Sequence, residues 1–221
     1  MTGIPDLLAV LAHEMRTPIA AILGYQELLS EGIYGTVDER GKEPLDRIAY
    51  SARQLLHLID GVQEITMPAA KRLSMHIEVF EPSPLLASCL AYAHADAIGR
   101  HVELATQLPA ALPSITGDPD RFCRAIDLAL SAAIKSSHGA TIKVGASVID
   151  QELRISIGQT GLSLERDDPA FVQQTDGKLT GSGLRLAIVR EIARQMHGGL
   201  ELSPTPSGTS ILLRFRGADA T

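Results

Sequence analysis

Two runs of apolar residues, spaced alternately by three and four positions, dominate the first third of this chain. Between Pro5 and Leu29 they fall at Leu8, Leu11, Met15, Pro18, Ile22, Tyr25 and Leu29, and further on at Leu45, Ile48, Ala52, Leu55, Ile59 and Val62. Such spacing draws one apolar seam along each of two helices. Gly32, Gly35 and Gly41, with Asp38 and Glu39 among them, break the pattern, so the segment reads as a helical hairpin. A hairpin of about 65 residues has no third element to cover its seams, and two copies packed as a four-helix bundle are the economical solution. We therefore expect a homodimer built on residues 1–66.

Residues 67–75, with one Pro, two Ala and a Lys-Arg pair, lose the seam and suit a linker. From residue 76 to 221 the pattern becomes α+β. His76–Phe80 and Val102–Thr106 alternate as strands on either side of a helix over Ser83–Ile98. Asp118 and Pro119 supply an N-cap and a first-turn proline for a helix reaching about Ser136. Thr141–Val148 and Glu152–Ile157 read as a β-hairpin turning at Ile149-Asp150. Leu184–His197 is a helix stopped by Gly198-Gly199, and Leu200–Leu202 and Ser210–Phe215 are closing strands. The expected fold class is α+β, a helical hairpin followed by an α/β sandwich with helices on one face of a mostly antiparallel sheet.

Composition narrows the partners. Of 221 residues 45% are hydrophobic and 21% charged, which a globular protein requires. Aromatics are 4% with no Trp, and 20 basic residues face 26 acidic ones for a net charge of −6, which argues against nucleic acid. The longest apolar runs fall far short of the roughly 20 residues that span a bilayer, and Met1–Ala12 has no basic leader region. A cytoplasmic protein with no membrane partner is expected. Cys89 and Cys123 lack metal or redox spacing and read as small core residues in a reducing compartment.

The chemistry centres on the first helix. His13 lies off the seam and should face solvent, with Glu14 beside it and Arg16 and Thr17 three and four residues on, sharing its face. Pro18 removes the hydrogen bond to the carbonyl of Glu14 and weakens the helix there. A His-Glu-x-x-His zinc pair is excluded because position 17 is Thr. The cluster suits an imidazole nucleophile whose second nitrogen is held by a carboxylate, as phosphoryl transfer requires. Thr17 can equally bond back to the carbonyl of His13, as many helical threonines do.

Leu11 to Tyr25, Leu-Ala-His-Glu-Met-Arg-Thr-Pro-Ile-Ala-Ala-Ile-Leu-Gly-Tyr, resembles the H-box of two-component sensor histidine kinases, and Tyr34-Gly35 and Leu55–Asp60 resemble the rest of that dimerisation and phosphotransfer domain. The resemblance implies that His13 is the phosphoacceptor, Glu14 its acid/base partner and Thr17 a group that positions water in dephosphorylation. It also implies that the C-terminal sandwich is of the histidine-kinase ATPase type.

That second domain departs from the family's pattern. In Asp127–Lys135, similar to the N-box, Leu128 and Ala132 stand at the asparagine positions and Lys135 is retained. Leu153–Leu164 resembles the first glycine box, but Gln159 stands where an adenine-reading aspartate is expected and Ser163 at the second glycine, leaving Gly161. Gly181–Val189 resembles the second glycine box with Arg185 at its third glycine. Its glycines can serve the turn and close packing alone, or hold a phosphate at a helix N-terminus. Glu165–Leu179 is too short for a full ATP lid. Loss of a magnesium ligand and of the adenine contact argues against phosphorylation from ATP by the usual route.

The reading is a histidine phosphotransferase that relays a phosphoryl group between His13 and response-regulator receiver aspartates, with no cofactor of its own and magnesium supplied by the receiver. The alternatives are an ATP-dependent kinase with an altered nucleotide site, and a phosphatase or pseudokinase scaffold. The receiver is expected to dock below His13, around Ala20, Leu23, Gly24 and Glu27.

Overall fold

The computed structural model describes residues 4–66, 75–137, 141–159, 181–205 and 208–218. It divides into two compact units, Met1–Ser74 and Met75–Thr221. The proposed linker residues 67–74, the glycine-box residues Gly161 and Ser163, and the Glu165–Leu179 segment lie outside the described residues.

The first unit is a hairpin of α1 (Ile4–Ser30) and α2 (Glu39–Thr66). Gly32 and Gly35 take positive φ values of 77° and 116° in the turn, a conformation open to glycine without strain. Asp38 caps α2, its Oδ1 accepting from the Gly41 amide at 2.8 Å. Glu39 and Gly41 therefore belong to the second helix rather than to the break. A side chain at Gly41 would press on that of Val37, which explains a glycine inside a first turn.

Within the chain the helices meet through Ala12, Ile19, Ala52 and Ile59, with Leu23 and Leu56 packed beside them. These α1 positions lie one residue C-terminal to Leu11, Pro18 and Ile22 of the expected seam. Leu11, Met15, Ile22, Tyr25 and Leu29 remain exposed, Tyr25 by 63%. Each helix thus carries two adjoining apolar stripes. Small and medium residues close the hairpin, and the larger ones face outward; sequence spacing merges the two because they are offset by only about 100°.

The second unit opens with β1 (Glu78–Phe80), α3 (Pro82–Ile98), β2 (Glu103–Gln107), β3 (Ile115–Gly117) and α4 (Pro119–Ser136). It continues with β4 (Thr141–Ile149), β5 (Glu152–Gln159), α5 (Gly181–Gln195), β6 (Gly199–Thr205) and β7 (Gly208–Arg216). One sheet has the order β2-β4-β5-β7-β6, with β2 parallel to β4 and the other neighbours antiparallel; β1 and β3 form a separate antiparallel pair. The three-residue β3 was not among the expected strands.

Alternation explains why helices cover only one face. Cross-strand partners Leu153 and Phe215, Ile155 and Leu213, and Ile157 and Ile211 are all buried, whereas their neighbours Arg154, Ser156, Leu212 and Arg214 are less so. Phe122 of α4 is fully buried and sits edge-on to Phe80 and Phe215, with ring centroids 5.6 and 4.9 Å away. The β4–β5 hairpin turns at Asp150-Gln151, one residue later than expected, and both have positive φ, as a type I′ turn requires. At the end of α5 the left-handed residue is His197, and Gly198 follows because a Cβ there would collide with the Arg214 carbonyl.

Candidate functional site

Helix α1 continues through Pro18 and presents His13, Glu14 and Thr17 to solvent. Their exposure follows from the packing: Ala12 and Ile19 turn inward, and positions 13, 14 and 17 lie about 100–200° around the helix from Ala12. An accessible imidazole with an adjacent carboxylate can attack a phosphoryl group delivered by another molecule.

Arg16 behaves differently from its neighbours. Its Nη2 donates to Asp60 Oδ1 at 2.6 Å and to Gln63 Oε1 at 3.1 Å, both on α2. The guanidinium thus fastens the two helices one turn from His13. Residues 44 and 47 positions away supply those acceptors, so local sequence carried no signal for the bond. Of the expected docking residues, Ala20 and Glu27 are exposed and Gly24 has open space around its Cα, whereas Leu23 packs on the hairpin core.

In the second unit, α4 reaches its start through Asp118, which accepts from the Arg121 amide at 3.1 Å and from the His76 amide at 2.9 Å. The cap also holds the chain just before β1 against α4. Arg121, itself buried, bonds Gln195 at the end of α5. These contacts set α4 against α5.

At the two expected asparagine positions, Leu128 and Ala132 are buried, 0% and 1% exposed, and their side chains offer no oxygen. At the start of α5, buried Arg185 turns back so that its Nη1 donates to the Gly181 carbonyl at 2.7 Å. Ser136 and Ser182 hydroxyls, 3.2 Å apart, join the end of α4 to the start of α5. Burial holds the Lys135 ammonium below its ordinary pKa, and the positive charges of Arg185 and then Arg100 add to this; Asp96 partly offsets them. Arg100 pairs with buried Asp96 at 3.2 Å. The Ala132 side chain offers no oxygen to a magnesium ion, which takes oxygen ligands. Gln159 ends β5, and the adenine-side residues beyond it lie outside the described part.

Residues 6–69 match the His Kinase A (phospho-acceptor) domain, and residues 117–218 match the histidine kinase-, DNA gyrase B-, and HSP90-like ATPase. The chain belongs to the histidine kinase family and carries the two domains of a two-component catalytic core. It is 31% identical over 220 residues to the sensor protein TorS of Escherichia coli, covering 94% of this chain and 23% of TorS. Histidine protein kinase DivJ of Caulobacter vibrioides is 27% identical over 223 residues, with 96% of this chain and 37% of DivJ covered. The chain therefore spans well under half the length of these curated relatives.

Among solved structures, full-length ShkA in complex with AMPPNP aligns with a TM-score of 0.64 at 24% identity, covering 98% of this chain and 47% of ShkA. Acinetobacter baumannii histidine kinase AdeS aligns at 0.57 and 20%, covering 94% and 98%. Both establish the fold, a helical hairpin followed by an α/β ATPase-type sandwich. No helix among the described residues is long and apolar enough to cross a membrane.

Proposed function

We propose that this chain carries a phosphoryl group on His13 and exchanges it with the receiver aspartate of a response regulator. The single observation behind this reading is the contrast between its two units: His13 and Glu14 stand exposed together, while hydrocarbon fills the two expected asparagine positions of α4, Ala132 at the magnesium one. One imidazole nitrogen attacks the phosphorus of the receiver's acyl phosphate, a phosphorus–nitrogen bond forms, and the aspartate carboxylate leaves. Glu14 holds the proton on the other nitrogen and so keeps the attacking lone pair available. The magnesium ion comes with the receiver.

His Kinase A domains typically pair as dimers, and a homodimer here is supported by the outward apolar stripe of Leu11, Met15, Ile22 and Tyr25 on α1, with Ile48 and Leu55 exposed on α2. A second reading, an ATP-dependent kinase with an altered nucleotide site, is favoured by the comparisons: relatives along nearly the whole chain are named as a sensor protein and a histidine protein kinase. Lys135, Gly181 and Gly183 are also retained.

One experiment separates the two. The protein is incubated with magnesium and γ-labelled ATP, and separately with a receiver phosphorylated by a small acyl phosphate, with His13→Ala as control. Label arriving from the receiver alone, and lost in His13→Ala, supports the transferase. Label on His13 from ATP alone makes the chain a kinase, and label from neither source refutes both.

A further inference from the structure

Helices cover one face of the large sheet, and the other face carries two adjoining features. The first is a cluster of arginines. Arg154 of β5 and Arg214 of β7 are register partners, which sets their Cβ atoms about 5 Å apart on the same face. Arg216, exposed, follows two positions on. Like charges placed directly across a strand pair repel one another and cost stability, so this pairing calls for a partner of opposite sign. Glu152 lies 3.4 Å from Arg154 and Glu201 lies 2.8 Å from Arg214. Three guanidinia thus stand against two carboxylates, in a chain whose net charge is −6. The Nε atoms of Arg154 and Arg214 are shielded from water and have no hydrogen-bond partner among the described residues. Gly199 makes room for Arg214, since a Cβ there would come within 3.1 Å of its Nη2.

The second feature is a cup beside β4. Strand β2 ends at Gln107, opposite Gly145, while β4 runs on to Ile149. Beyond Gly145 the outer side of β4 has no strand neighbour among the described residues, and a cup of about 360 Å³ opens there. Leu108 and Pro109 wall it, and the Gln107 amide and the hydroxyls of Ser147 and Ser156 line it. A Cβ at Gly145 would stand 2.9 Å from Ser156 Oγ, so glycine keeps the floor low. Ser147 is the register partner of Arg154, so the cup and the arginine pair adjoin across one strand spacing of about 4.8 Å.

We propose that this open face binds a small phosphate monoester, its phosphate on Arg154 and Arg214 and its hydroxylated body in the cup beside them. A guanidinium presents its donors as a planar fork that matches phosphate oxygens, and two forks side by side suit a dianion. Glu152 and Glu201 temper the repulsion between the arginines but occupy only part of their donor set. The cup itself holds no charged group; its amide and hydroxyls both donate and accept, and Leu108 and Pro109 offer an apolar wall to one face of a ring. Sugar phosphates and nucleoside monophosphates share this chemistry. The site lies on the opposite face of the sheet from α4 and α5 and is independent of the role of His13.

The test is a nuclear magnetic resonance titration of the whole chain with ribose 5-phosphate and with uridine 5′-monophosphate, each to millimolar concentration. Inorganic phosphate and ribose, titrated separately, are the two halves of the ligand. Either ester should shift the amides of Ser147, Arg154, Ser156 and Arg214 and bind at least ~10-fold more tightly than either half, because one linked molecule engages both features. Equal affinity for the two esters identifies a sugar phosphate, and tighter binding of the uridine ester places a base in the cup. Arg154→Gln combined with Arg214→Gln should weaken binding at least ~10-fold through lost charge-assisted hydrogen bonds. Gly145→Leu fills the cup and should reduce the ester to the affinity of inorganic phosphate. The proposal is overturned by no shift on this face with either ester, or by shifts at the start of α5 in their place. Shifts that inorganic phosphate reproduces at equal affinity mark an adventitious ion only and overturn it as well. The wild-type titrations decide the matter even where a variant fails to fold.

Discussion

Arg16 lies on the same helical face as His13, yet its bonds run to α2, and replacing it distinguishes a structural tie from a catalytic group. At 2.6 Å the gross attraction between Arg16 and Asp60 is about 1.6 kcal/mol in bulk water and about 6 kcal/mol at the effective dielectric of a protein surface. The side chains are 40% and 16% exposed, so screening keeps the effective value toward the low end. Ordering a flexible arginine removes a further ~1–2 kcal/mol, and the bond to Gln63 restores about half of that. The net coupling is about 1 kcal/mol. A double-mutant cycle with Arg16→Ala, Asp60→Ala and the double variant, read by urea unfolding at one protomer concentration, should return that coupling. Phosphorylation of His13 should change less than about threefold in folded Arg16→Ala. Zero coupling, or a ~100-fold loss of phosphotransfer in a variant of unchanged stability, would refute the reasoning and move Arg16 into the chemistry.

Three further outcomes follow from the packing. Leu11→Glu combined with Tyr25→Glu on the outward stripe of α1 should halve the mass seen by light scattering while leaving helix content near that of the wild type. Phe122→Ala removes the ring between Phe80 and Phe215 and should cost about 3–5 kcal/mol in chemical denaturation, with the hairpin's own transition unmoved. Lys135→Met should stabilise the second unit by about 0.5 kcal/mol near neutral pH, since a partly desolvated charge, also repelled by Arg185 and Arg100, is gone. The lysine's folded pKa is depressed, so its charged form carries a penalty below that pKa that is relieved as pH rises toward the unfolded value. The advantage of Lys135→Met, followed by thermal melts across alkaline pH, should therefore shrink upward.

Local signals carried most of the fold. Asp118-Pro119 fixed the start of α4 because a cap side chain and a preset φ act within one turn, and the alternation of β4 and β5 fixed their hairpin. What escaped had non-local causes. The three residues of β3 are too few to show a period, and their pairing with β1 depends on a cap that ties His76 to Asp118. The seam of α1 was legible as apolar but not as two stripes, because spacing cannot say which neighbour each stripe faces. At the site, His13, Glu14 and Thr17 stood together in one motif, so their exposure was readable. The tie of Arg16 to Asp60, the return of Arg185 to Gly181 and the approach of the Cys89 thiol to the Cys123 carbonyl at 3.8 Å depend on side-chain reach across elements, which no spacing rule encodes.

The pairing of β2 with β4 has a consequence for the order in which this chain acquires its structure. Partners such as Glu103 and Thr141 are separated by about forty residues that include β3 and α4, whereas Ile149 and Glu152 face each other across two. The β4–β5 hairpin can close within microseconds, but β2 must wait until α4 has been laid across the sheet and a long loop closed. The outer strand is then the last to be captured and the first to detach. In hydrogen exchange its amides should open at lower free energy than those of β5 and β7, giving the second unit a soft margin beside a firm centre.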